Sequence, residues 1–69
     1  MKSYITFSDL IELISFKSYL LDKGYIEKIS NAHESRGTNY LCVDDDNRIF
    51  YLVTKKKAEN ENKQSDLSL

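Results

Sequence analysis

Asn39-Tyr-Leu-Cys-Val-Asp-Asp-Asp-Asn-Arg-Ile-Phe-Tyr-Leu-Val-Thr54 is the stretch that decides the fold. Its two arms, Tyr40 to Val43 and Ile49 to Val53, are rich in aromatic and β-branched residues, which suit a pleated, packed surface. Between them lies Asp44-Asp45-Asp46-Asn47-Arg48. Asp and Asn tolerate positive φ and bond their own backbone, so a tight turn around Asp46-Asn47 closes a β-hairpin. Side chains alternate across a strand. One face therefore carries Leu41, Val43, Phe50 and Leu52, and the other carries Tyr40, Cys42, Ile49, Tyr51 and Val53. An antiparallel sheet with one face in water alternates apolar with polar residues. Here both faces are apolar, so the second face is expected to be covered.

Upstream of the hairpin, Thr6 followed by Asp9 fits a capping box, with Ile5 and Leu10 placed to form a hydrophobic staple. Asp9 and Glu12 suit the positive end of a helix dipole, and Gly24 suits the left-handed position that closes a helix. The pattern predicts a helix from about Phe7 to Lys23. At 100° per residue, Phe7, Leu10, Ile11, Ile14 and Leu21 form one stripe, and Leu13, Phe16 and Leu20 form a second beside it. Tyr19 lies further round. Met1 to Ile5 reads as an edge strand or an arm. Tyr25 to Ser30 reads as a first strand, with Ile26 and Ile29 as its apolar members. Asn31 to Thr38 is a polar loop around Gly37.

The expected fold is α+β, one N-terminal helix on a small antiparallel β-meander. It has three strands, or four if the N-terminal segment joins. Lys55-Lys-Lys57 ends the single domain, residues 1–57. Ala58 to Leu69 is polar and aperiodic and is expected to be a disordered tail.

The chain has 69 residues, with ten basic and eleven acidic side chains and a formal net charge of −1. So even a balance argues against a sequence-independent grip on nucleic acid or on an anionic membrane. A single Cys allows no internal disulfide, and a reducing cytoplasm fits best. Asp9 and Glu12 break the N-terminal apolar stretch, so it does not read as a signal peptide. Nothing reaches the roughly 20 apolar residues of a membrane span.

Chemical motifs are weak. His33-Glu34-Ser35 are adjacent in a loop, whereas a catalytic constellation is set by convergence in space. Cys42 sits mid-strand in apolar company, where a thiol is usually inert packing. One Cys and one His cannot supply a four-ligand Cys/His zinc site. An EF-hand reading of Asp44 onward fails, because its sixth and twelfth positions hold Ile49 and Lys55 instead of Gly and Glu. Lys55 to Lys57 reads as a solvated run that blunts edge aggregation. No enzyme activity, cofactor or metal is expected.

Two function classes follow. The first is a non-enzymatic interaction protein that binds a larger macromolecule, or a second copy of itself, and acts as an inhibitor or adaptor by steric occlusion. Phage-encoded anti-defence or host-takeover proteins form an analogous pool, and such a protein would work in the host cytoplasm. Its expected contact residues are Tyr40, Tyr51, Ile49 and Val53 on the second hairpin face. Asp44, Asp45 and Asp46 form a negative knob, and Phe16 and Tyr19 lie on the helix. Tyr joins a large apolar ring to a polar tip, which favours interfaces.

The second class is a DNA-binding regulator. If Thr6 to Ile26 is cut near Ser15 into two short helices, Leu21 to Lys28 followed by Arg36-Gly-Thr-Asn-Tyr40 resembles the end of a recognition helix and the wing of small winged-helix regulators. That resemblance implies a base-reading helix. Such a helix would offer only Lys17, Ser18 and Lys23, whereas base readout usually employs Arg, Asn or Gln.

Overall fold

The structure, a computed structural model, describes residues 1–67, with side chains described through residue 61. The chain folds as α+β. Strand β1 spans Lys2–Phe7, helix α1 Leu10–Asp22, strand β2 Ile26–Glu27, strand β3 Asn39–Asp44, strand β4 Ile49–Val53 and helix α2 Lys55–Leu67. The four strands form one sheet in the order β1-β3-β4-β2.

The hairpin forms as expected, with Asp44 opposite Ile49 and Leu41 opposite Leu52. Its turn closes with Arg48 at positive φ. The Asp44 carboxylate accepts from the Asn47 side-chain amide at 2.9 Å, which holds the turn from inside. Leu41, Val43, Phe50 and Leu52 share one buried cluster with Phe7, Leu13 and Leu20. The face assignment read from alternation is therefore the one the fold adopts.

The N-terminal third differs from the sequence reading. Tyr4-Ile5-Thr6-Phe7 stays extended and pairs antiparallel with β3, Tyr4 opposite Cys42 and Phe7 opposite Asn39. The helix cap is Asp9, whose side chain accepts from the Ile11 amide at 2.9 Å. Asp caps a helix as well as Thr does, and a run of aromatic and β-branched residues favours the strand. Thr6 therefore caps nothing, and Ile5 and Leu10, which both pack against the core, no longer hold the flanking positions of a staple. Gly24 does close the helix, at φ 93°. Helix α1 is unbroken from Leu10 to Asp22, so the two-helix division at Ser15 is not made.

The sheet is mixed and is not a meander. β2 is only two residues long and runs parallel to β4 on its far side. Ile26 and Ile29, the apolar members of the expected first strand, are exposed, Ile29 fully so. Of the two helix stripes, the one with Leu13 and Leu20 is buried with Phe16 packed beside it, whereas Ile11, Ile14 and Leu21 face outward.

The second sheet face has its own small cluster of Cys42, Val53 and Ala58, with Tyr4, Tyr40 and Tyr51 packed against it. Ala58 is 3% exposed and belongs to the first turns of α2. The cover demanded by the apolar excess thus comes from a stretch read as tail. The expected boundary at Ala58 does not coincide with the end of packing. The remainder of that expected tail, Ser68 and Leu69 in full and the side chains from residue 62 onward, lies outside the described residues.

Candidate interaction surface

The contact residues expected from sequence fall into three places. Tyr40, Ile49 and Tyr51 are half-buried, and Val53 is buried against Cys42 and Ala58. This face is therefore partly occupied by α2. Burial pushes the Tyr4 hydroxyl up. The neighbouring Cys42 thiol and burial together push Tyr51 up to about 12.

The acidic turn is engaged within the molecule. Asp44 is buried, and its hydrogen bond from the Asn47 side chain holds its carboxyl below the usual carboxylate range. Asp45 accepts from the Tyr25 hydroxyl at 2.8 Å, and Asp46 pairs with the terminal amine of Met1. Arg48 lies over the Tyr25 ring, 4.6 Å from its centroid, and its guanidinium donates to the Lys23 carbonyl. The triple aspartate thus ties the N-terminus, the end of α1 and the hairpin turn together.

Phe16 and Tyr19 form the third group. Their rings stack at 5.9 Å, and Phe16 in turn meets Phe7 at 5.4 Å. Tyr19 is 53% exposed and carries the Lys23 ammonium 5.3 Å from its ring centroid. These aromatics border a groove of about 380 Å³ between α1 and β1, whose other wall includes Ser3 and Ile5.

Beside this groove lies a feature that sequence reasoning left open, the outer edge of β1. The Asp45 amide donates to the Met1 carbonyl at 3.1 Å. Hydrogen-bonded and non-bonded pairs alternate along an antiparallel ladder. Ser3, Ile5 and Phe7 therefore bond to β3, while Lys2, Tyr4 and Thr6 turn their N–H and C=O groups away from it. Among the described residues no strand pairs with that side. On the other side of the sheet, β4 is covered by β2 and the residues that follow it. The β4 carbonyls of Arg48 and Phe50 accept from the Ile26 and Lys28 amides at 3.0 and 2.8 Å, and that of Leu52 accepts from the Ser30 hydroxyl at 2.6 Å.

The loop that carries His33, Glu34 and Ser35 does structural work. Lys17 bridges Glu27 at 2.7 Å and Glu34 at 2.6 Å. Burial opposes its charge, but the two carboxylates prevail and raise the ammonium pKa. Ser35 and Asn39 exchange two bonds of 2.9 Å, amide to side-chain oxygen and side-chain amide to carbonyl. Among the described residues no three His, Cys, Asp or Glu side chains gather to hold a metal ion, and no helix is long and apolar enough to cross a membrane. Compared with models of known protein families, with characterised proteins and with solved structures, the chain matches none.

Proposed function

We propose that this chain is a non-enzymatic protein-interaction module that takes an extended segment of a partner onto the β1 edge. The single observation that supports the reading is a six-residue edge with three outward-facing peptide groups alongside the aromatic groove of Phe16 and Tyr19. In strand addition, main-chain hydrogen bonds supply affinity and side-chain pockets at alternate positions supply specificity. Here an added strand would meet the Lys2, Tyr4 and Thr6 peptides. Every second side chain of that strand would lie on the groove side, near Ile5 and Tyr19. A segment held in this way would be withdrawn from its other partners, which is inhibition or adaptation by steric occlusion.

Thr6→Pro deletes one outward N–H and leaves the β3 ladder intact, because proline is tolerated where the amide faces away from the sheet. Thr6→Val keeps that amide. Peptides selected from a random library on the immobilised chain are expected to shift the amide signals of Lys2, Tyr4 and Thr6. They are expected to bind Thr6→Val and to lose Thr6→Pro. Selected peptides that bind Thr6→Pro unchanged, or that shift other residues instead, overturn the reading.

A further inference from the structure

We infer that the strand taken up by the β1 edge is the β1 edge of a second copy of this chain, joined antiparallel about a two-fold axis at Tyr4. The inference rests on the edge-docking reading above and names its occupant. Three observations carry it.

The first is register. The outward-facing peptides belong to Lys2, Tyr4 and Thr6, which are symmetric about Tyr4. Antiparallel pairing of two copies with Tyr4 opposite Tyr4 sets Lys2 opposite Thr6 at both ends. All three outward peptides of each strand then fall at hydrogen-bonded positions. A shift of two residues either way would leave one of them unmatched.

The second is charge. Lys2 is the only charged side chain in β1. In this register the two Lys2 residues are four residues apart along the ladder, about 14 Å at the strand rise. That exceeds the screening length of about 8 Å at physiological salt. The terminal amine is already neutralised by Asp46. No like charges oppose one another across the seam.

The third is the contrast between the two edges. Natural sheets blunt an exposed edge with short strands, charges or proline. The β2 edge follows that rule, with two residues and the Glu27-Lys28 pair. From Ser3 to Phe7 the β1 edge carries no charge and no proline. The two-fold axis stands normal to the joined sheet, so both α1 helices lie on one face and the two Phe16/Tyr19 grooves flank the seam. A strand edge alone falls short of the roughly 1,200 Å² buried by a stable interface. The grooves must contribute the remainder, and the dimer dissociates on dilution.

Light scattering on a size-exclusion column, at two concentrations, should give a mass that rises toward twice the monomer mass at the higher concentration for the wild-type chain and for Thr6→Val. Thr6→Pro should give the monomer mass. Cysteine cross-linking tests the register, in a Cys42→Ala background because Cys42 lies opposite Tyr4. In that background Tyr4→Cys should oxidise to a covalent dimer, since hydrogen-bonded antiparallel partners lie about 5.5 Å apart at Cα, within disulfide reach. Ser3→Cys should not, because its two copies are set two residues apart along the ladder. A chain that is monomeric at both concentrations, yet still takes library peptides on β1, overturns self-pairing and leaves the edge-docking reading standing. A dimer that persists in Thr6→Pro, or that cross-links through Ser3→Cys instead of Tyr4→Cys, overturns the inference.

Discussion

Leu13 and Ile11 sit two residues apart on α1, and truncating each to Ala should have very different consequences. Leu13 is 0% exposed and packs in the cluster with Phe7, Leu41 and Phe50, whereas Ile11 is 73% exposed. Leu13→Ala removes three buried carbon groups, about 2.4 kcal/mol of transfer free energy at ~0.8 kcal/mol each. If some 40 Å³ of the vacated space persists, the cavity adds about 1 kcal/mol. The expected loss is therefore ~3.5 kcal/mol. A chain of 69 residues is stable by roughly 3–10 kcal/mol at typical values per residue. Leu13→Ala should thus remove at least a third of the stability. Ile11→Ala gives up little buried surface and regains the helix propensity lost to a β-branch, so its net effect should lie within about 0.5 kcal/mol of zero. Urea unfolding followed by circular dichroism measures both. With a slope near 1 kcal/mol per molar, the Leu13→Ala midpoint should fall by about 3.5 M and that of Ile11→Ala should hardly move. A Leu13→Ala loss below about 1 kcal/mol, or an Ile11→Ala loss of similar size, would refute the assignment of the inward helix face.

Two other perturbations test contacts that sequence reasoning did not supply. Asn39→Asp should place a carboxylate oxygen against the Ser35 carbonyl that the Asn39 side-chain amide now contacts at 2.9 Å. The loss should be about 2–3 kcal/mol at pH 7. Repulsion raises the new carboxyl pKa in the folded state above its unfolded value of about 4, so protonation favours folding and the deficit should narrow as pH falls through that raised pKa toward about 4. An equal deficit at pH 7 and pH 4 would show that the carboxylate does not face Ser35. Ala58→Asp should lift α2 from the sheet and expose Cys42, which is now fully buried. A thiol reagent should then titrate Cys42 under native conditions in the variant while leaving the wild-type chain unmodified; equal protection in both would remove Ala58 from the cover.

What the sequence disclosed follows the range of the interactions involved. The hairpin was legible because alternation and turn chemistry are local, and both hold over Tyr40 to Val53. The helix end at Gly24 was legible for the same reason. The helix start was not, because Thr6 and Asp9 both satisfy a local capping pattern. Only the pairing of Tyr4 to Phe7 with β3 settles which of them is used. The parallel pairing of β2 was invisible. It involves two residues, their side chains are exposed, and the partner lies more than twenty residues away in sequence. The outward stripe of Ile11, Ile14 and Leu21 and the inward stripe of Leu13 and Leu20 are equally apolar, so composition alone could not rank them. The second sheet face gave a correct demand, a cover, but not its source. A single buried Ala among lysines, glutamates and asparagines leaves no periodic signal.

The same difference in range bears on the two sheet edges. A chain with two open edges can add copies at both, and addition of that kind grows into a filament. Here the outward carbonyls of β4 are satisfied by Ile26, Lys28 and Ser30, all from the segment that directly follows α1. That segment is held in turn by the Lys17 bridges to Glu27 and Glu34. Covering the β4 edge therefore depends on α1, not on β1. Pairing of two β1 edges about one axis uses the remaining open edge of each copy, and the assembly ends at two. Exposing the β4 edge should remove that limit. Replacing Lys17 with Ala leaves Glu27 and Glu34 without their shared cation and frees the segment from Ile26 to Ala32 to leave β4. On this argument Lys17→Ala lowers stability modestly, yet extends association beyond the dimer as concentration rises. The double variant Lys17→Ala with Thr6→Pro should form no species larger than a dimer, because only one sticky edge is left. Continued growth in that double variant would place the association surface somewhere other than the sheet edges.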